Sequence, residues 1–452
     1  FITMFKIINL IQMTNKLLRL KEIVQSYVAN EQFMGAVLVA KNGHLLINEG
    51  YGFANLEWEI PNSSITKFRL GSLTKQFTAA AILLLEERGQ LNITGSINKY
   101  LPDMPTAWND ITIFHLLTHT SGIPNYTRFP EFSSITTLTK KPEQQIDLFR
   151  NKPLVFQPGS NYEYCNSGYV LLGYLIEKIT GLSFKDFIVN HLFKPLGMDD
   201  SGYDSHSDII LHRASGYEIK SDGLHNADFL EMSLPYAAGS LYSTTHDLLI
   251  WQEALFAGKF ISSTSVNKMI QPFKNSYGLG VSIQSFDGHK AITHGGGING
   301  FNTFMIYFPE EKITIIILAN LIAFGFVPQS LGLNLARVIY KKPVVLPFER
   351  KEITFSTKVL NKYTGSYTIK PVNVYYTTQP SNLLITLLDD HLVAKIEVQP
   401  EIKLFPESET IFFSRRPDIK VEFLENEKDQ SIQIAWMQDG DRFIGKKNNE
   451  EI

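Results

Sequence analysis

Residues 17–28 carry Leu18, Ile23, Val24 and Val28 at spacings that share one face of a helix, so an amphipathic helix is predicted there. The apolar run at 7–13 is broken by Asn9 and Gln12, and no small-residue cleavage site follows. It reads as a frayed lead into that helix rather than as a signal peptide. Residues 36–40 and 45–47 flank Lys41-Asn42-Gly43, a hairpin signature in which Asn-Gly supplies the positive φ of a tight turn. Residues 71–89 predict a helix that is apolar nearly all round from Phe77 to Leu85, as suits the centre of a domain, with Gly89 as its C-cap. The middle, 102–239, mixes loops with helices at 169–179, stopped by Gly181, and at 184–192. β-rich runs return at 277–285, 290–294, 301–308 and 314–319, and a helix closes at 327–340. One N-terminal hairpin, several later strands and helices between them predict an α+β fold whose two ends meet in one sheet. After a linker from Lys341 to Pro347, short alternating strands at 367–369, 373–376, 383–388, 411–413 and 432–436 predict a separate small β-barrel or sandwich. The expected parts are an N-terminal extension (1–22), a main domain (23–342) and an all-β accessory domain (343–452).

Composition narrows the field. Of 452 residues, 44% are hydrophobic and 19% charged, with a net charge of −3, which is globular composition without a basic block. Nucleic acid is therefore excluded as the main partner. No run approaches the ~18 apolar residues of a membrane span. The single cysteine, Cys165, excludes an internal disulfide framework and a cysteine-based zinc site.

Three segments carry candidate chemistry. Ser72-Leu-Thr-Lys75 opens the apolar helix, where residues three apart share a face and an amine can activate a hydroxyl. The same spacing recurs at Ser64/Lys67, Ser96/Lys99 and Ser265/Lys268, none of which starts a buried helix. A plain N-cap is the competing role for Ser72, but caps favour an acidic first turn and Lys75 has the wrong sign. Tyr164-Cys165-Asn166 offers a phenol to move a proton and an amide to orient a carbonyl; the competing role for Asn166 is a cap of the helix that follows. His294-Gly295-Gly296-Gly297 lies among strands, and a glycine-lined edge lets a substrate approach backbone N–H donors. The chain lacks the Gly-x-Ser-x-Gly elbow of an α/β-hydrolase, the His-Glu-x-x-His of a zincin, a Walker loop and a Gly-x-Gly-x-x-Gly leading a helix.

Taken together, Phe68-Arg-Leu-Gly-Ser72-Leu-Thr-Lys75, Leu116-Leu-Thr-His-Thr-Ser-Gly-Ile123, Phe156-Gln-Pro-Gly159, Tyr164-Cys-Asn-Ser-Gly-Tyr169 and His294-Gly-Gly resemble the serine β-lactamase/penicillin-binding-protein superfamily. The branch is the one with class C β-lactamases, D-alanyl-D-alanine carboxypeptidases, D-aminopeptidases and related esterases. The resemblance spans about residues 33–340. It implies an antiparallel sheet flanked by helices beside an all-helical region, with the site between them. It implies Ser72 as the acylated nucleophile, Lys75 and Tyr164 sharing proton transfer, Asn166 on the substrate amide, and the N–H groups of Ser72 and Gly297 as the oxyanion hole. His294 and Gly296 match the first and last positions of the family's Lys-Thr-Gly triplet. Histidine in place of lysine makes the charge there depend on pH and leans toward peptidases and esterases. There is no Ser-Asp-Asn, so a class A arrangement is not supported. The segment from Tyr363-Thr-Gly-Ser-Tyr367 is similar to a lipocalin-like appendage.

The reading is thus a serine hydrolase acting through an acyl-enzyme on a peptide, ester or β-lactam carbonyl, without cofactor or metal. Its partner is a small-molecule or peptide substrate. The alternative is a catalytically silent relative that binds or scaffolds. Oligomeric state and compartment stay open, although relatives are often exported to the periplasm or cell envelope. His115 and His119, four apart, read as core or capping histidines rather than metal ligands, Cys165 as a small filler beside the site, and Phe301, Phe304, Tyr307 and Phe308 as sheet core.

Overall fold

Asn42 and Gly43 take φ of +51° and +74°, the left-handed pair that lets a two-residue turn follow strand twist. They join β1 (Gly35–Lys41) to β2 (His44–Tyr51). In this computed structural model the described residues are 2–220, 222–323, 328–369, 381–396, 401–415, 417–425, 431–438 and 441–448, with backbone alone for 2–13 and 441. The helix before the hairpin, α1, runs Ile2–Ala29.

The expected later strands are β3 (Ser282–Phe286), β4 (His289–Ile298), β5 (Phe301–Phe308) and β6 (Ile313–Ala319). All six strands form one antiparallel sheet in the order β3-β4-β5-β6-β1-β2, with Val37 opposite Ile317. The N-terminal hairpin and the late strands thus share a sheet, as the pattern implies. β3 begins later than the expected 277, because Gly280 turns the chain at φ +72° and the Gly278 N–H bonds to Val281 O.

A single 3₁₀ turn, Gly71–Leu73, leads into α2 (Thr74–Glu87), whose residues from Thr74 to Leu85 are all buried. Such a helix needs apolar partners on every side. Trp251 of α5 (Thr245–Phe256) meets Phe77 at a ring separation of 4.5 Å, and α5 lies on β1 and β6. On other faces α2 contacts α3 (Asn166–Thr180) and the short α4 (Tyr236–Gly239). Gly181 ends α3 in the left-handed region at φ +71°. The helix expected at 184–192 is present as Phe184–Ile188 continuing into a π-turn, Val189–Phe193. The α+β class therefore holds, with α2 placed between a helix-covered sheet and a helical region. Among the described residues no helix is long and apolar enough to cross a membrane.

The chain divides into two compact units, Phe1–Ala323 and Phe324–Ile452. The second contains a closed eight-stranded antiparallel barrel in which Gly365–Ile369 pairs with Asp441–Lys447. Tyr363, Tyr367, Phe412, Phe423 and Trp436 fill its core, with Tyr363 stacked on Phe423 at 4.1 Å. Barrel closure leaves no open sheet edge. The strands His391–Ile396, Ile402–Pro406, Ile419–Glu425 and Asp441–Lys447 are additional to those expected. The strand expected at 373–376 lies outside the described residues.

Candidate active site

Gly71, at φ +53°, bends the chain from the strand Phe68–Arg69 into the turn that carries Ser72. The capping positions of this turn and of α2 are Leu70 and Leu73, and neither side chain makes a capping bond. Ser72 is therefore not the cap that a serine at a helix start suggests. Its half-buried hydroxyl lies 2.9 Å from Lys75 Nζ.

The Lys75 side chain is fully buried, and its nitrogen has two further partners, Asn166 Oδ1 and Ala238 O, each at 2.9 Å. The rings of Tyr164 and Tyr169 stand 4.9 and 5.5 Å from it. Burial pushes the amine down to about 7, with the Cys165 thiol pulling slightly the other way. The other three Ser-x-x-Lys pairs have ordinary roles. Lys67 pairs with Asp200, Ser96 caps a short helix, and Lys268 pairs with Glu86.

Asn166 is the first residue of α3, and Cys165 occupies the capping position. The asparagine side chain points to Lys75 rather than back onto its own helix, so the capping role is not the one it plays. The Tyr164 ring packs against His119 at 4.2 Å. His119 also holds the neighbouring backbone: its carbonyl accepts from Glu163 N–H and its Nδ1 from Cys165 N–H, at 3.0 and 3.1 Å. His115 Nδ1 accepts from Thr112 N–H in a capping box, so both rings serve backbone donors. Cys165 is buried, and its thiol donates to Ile123 O.

The third segment approaches Ser72 through backbone. β3 pairs with β4 only as far as Thr293, which leaves 294–298 beyond the end of that neighbour. The turn bearing Ser72 lies against this stretch: a Cβ on Gly296 would sit 2.0 Å from Leu70 O and 3.0 Å from Ser72 N, and one on Gly71 would sit 3.0 Å from Gly297 N. Only glycine permits this approach. Thr303 secures it, with its hydroxyl 2.8 Å from Leu70 O and 3.2 Å from Gly296 O.

His294 differs from the sequence expectation of a pH-dependent charge. Its Nδ1 lies 2.6 Å from Gly295 O, and a carbonyl only accepts, so Nδ1 carries the proton. Nε2 then accepts from the Tyr277 hydroxyl at 2.9 Å. Burial, then the nearby Lys75, push the ring down to about 3, so it is neutral throughout the usual range. The structure thus brings Ser72, Lys75, Asn166 and the Tyr164 ring together beside Gly296 and Gly297, with His294 neutral behind them.

Sequence reasoning missed Ala238, Tyr277, Asn125 and Thr127. Ala238 acts through its carbonyl, which no side-chain pattern reveals. Asn125 and Thr127, which bond the Asn166 N–H and Nδ2 at 3.2 and 3.1 Å, lie two and four residues past the Leu116–Ile123 motif, which was the available signal.

A model of the Beta-lactamase family matches residues 20–325. Penicillin-binding protein 4* of Bacillus subtilis is 30% identical over 435 residues, covering 90% of this chain and 94% of that protein. The octameric penicillin-binding protein homologue of Pyrococcus abyssi superposes with a TM-score of 0.67 at 26% identity, covering 95% of this chain and 99% of that one. A D-amino acid amidase of Ochrobactrum anthropi shares the fold of 73% of the chain at a TM-score of 0.63 and 24% identity.

Proposed function

The chain belongs to the beta-lactamase family, and from that premise we propose that it is a serine hydrolase working by acyl transfer through Ser72. One observation carries the reading: the three partners of Lys75 Nζ. Asn166 Oδ1 and Ala238 O can only accept hydrogen bonds. A neutral amine has two N–H groups, and these two acceptors use both. Its lone pair is left facing Ser72 Oγ, which makes Lys75 the base for that hydroxyl.

In this mechanism Ser72 Oγ gives its proton to Lys75 Nζ as it bonds to the substrate carbonyl carbon. The N–H groups of Ser72 and Gly297 receive the developing oxyanion. The proton then moves, through Tyr164 with Lys75, to the leaving nitrogen or oxygen as its bond to the acyl carbon breaks. Water, activated by the same groups, releases the acyl product and restores the hydroxyl.

The neutral His294 supports substrates without a carboxylate on the leaving side, hence amides and esters ahead of carboxypeptidase substrates. A fluorescent penicillin and a fluorophosphonate test the reading. Labelling of the protein, abolished in Ser72→Ala, is the expected result. No labelling, together with no turnover of p-nitrophenyl esters or nitrocefin, would favour a silent binding relative instead.

A further inference from the structure

The backbone N–H of Asn166 is one of the donors that a helix start leaves without an internal partner. Its acceptor comes from another segment, Asn125 Oδ1 at 3.2 Å. A backbone N–H only donates, so the Asn125 amide must turn its oxygen this way. The same oxygen takes the hydroxyl proton of Thr127 at 3.1 Å. The Thr127 oxygen is then left as an acceptor, and Asn166 Nδ2 donates to it at 3.1 Å. With its nitrogen held there, the Asn166 amide presents its oxygen to Lys75 Nζ at 2.9 Å. Every donor and acceptor along this path follows from one backbone N–H.

We propose that Asn125 and Thr127 are positioning residues that lock the Asn166 amide with its oxygen on Lys75, and so keep the Lys75 lone pair for the Ser72 hydroxyl. The inference rests on the acyl-transfer reading above. Without the lock, the Asn166 amide can turn half a revolution and offer an N–H to Lys75. That N–H competes with Ser72 for the lone pair. It also removes an acceptor from the ammonium form, whose ionisable neighbours are Cys165, Tyr164, Tyr169, His119 and His294. Asn125 is buried and Thr127 half-buried, and the loop is fixed independently by Tyr126, whose N–H donates to Ser167 Oγ at 3.0 Å and whose hydroxyl donates to Leu234 O at 2.6 Å. The loop therefore has anchors that do not depend on the Thr127 hydroxyl.

The test is the rate of Ser72 acylation by a fluorophosphonate across pH in the full chain, with thermal unfolding in parallel. Thr127→Val keeps the shape and removes the hydroxyl; Thr127→Ala takes its place if the valine variant does not fold. The plateau rate should fall about tenfold or more, and the half-rise should move to lower pH. Thr127→Ser should restore both to within about threefold. A merely structural role would lower the plateau and leave the pH of half-rise where it was, and that result overturns the inference. So does a valine variant with the wild-type rate and profile. A wild type that is not labelled, or labelling that survives Ser72→Ala, overturns the acyl-transfer reading and this inference with it.

Discussion

Lys75 Nζ and Ser72 Oγ lie 2.9 Å apart across one turn of helix, with the lysine side chain fully buried and Ser72 half-buried. The proposed role of the amine as base requires that it has lost its proton, and burial sets that point at about 7. Acylation by a fluorophosphonate should therefore rise with pH through about 7 and level off above it. Lys75→Ala should lower the plateau by about 10²–10⁴-fold, the range of a lost general base. A profile that is flat from pH 5 to 9 would contradict the role given to the amine.

The same shift acts on stability. An unfolded chain keeps a lysine proton up to about 10.4, whereas the folded protein gives it up at about 7. Between those values the unfolded state binds more protons, so this group makes stability rise with pH, by at most about 1.4 kcal/mol per unit. Its destabilising effect is fully present below about 7. Lys75→Met should remove that rise, leaving urea midpoints flatter between pH 7 and 10 than in the wild type. An unchanged slope would mean that the amine keeps its proton after folding.

His294 offers no charge to an anionic substrate group, since both ring nitrogens are engaged and the ring is neutral down to about 3. Matched amide or ester pairs that differ by one carboxylate on the leaving side should separate by about tenfold in kcat/KM, or ~1.4 kcal/mol, in favour of the uncharged member. A preference for the anionic member would show that another group supplies a cation.

Gly296 of the sheet edge lies against the turn that carries Ser72, with 2.0 Å between a notional Cβ and Leu70 O. Gly296→Ala must push the two backbones apart, at a cost of about 1–3 kcal/mol in unfolding free energy. Acylation should fall more steeply than stability, because Ser72 N and Gly297 N move with the displaced segments. Equal acylation rates in the wild type and the alanine variant would remove this edge from the site.

Much of this was legible in the chain. Asn42-Gly43 marks its hairpin, the apolar run from Phe77 to Leu85 marks a buried helix, and the 301–308 strand has the limits the pattern predicts. Local rules sufficed there, because turn chemistry and periodicity act over a few residues. The barrel strands 391–396, 402–406, 419–425 and 441–447 went unread because single short strands carry weak periodicity, although each pairs with a neighbour in sequence. In the site, Ser72, Lys75 and Asn166 were visible as residue types at set spacings. The neutrality of His294 was not: it comes from burial and from the nearby Lys75, which the fold brings about and no motif records. Ala238 was hidden for the same reason, since its contribution is a backbone atom brought in by α4.

The central claim is that Ser72 becomes acylated, and intact-mass measurement with peptide mapping tests it most directly. After incubation with a penicillin or a fluorophosphonate, the account predicts one adduct per chain, carried on the peptide that contains Ser72 and absent from Ser72→Ala. A mass that does not change with either reagent, or an adduct that maps to another residue and persists in Ser72→Ala, would contradict it.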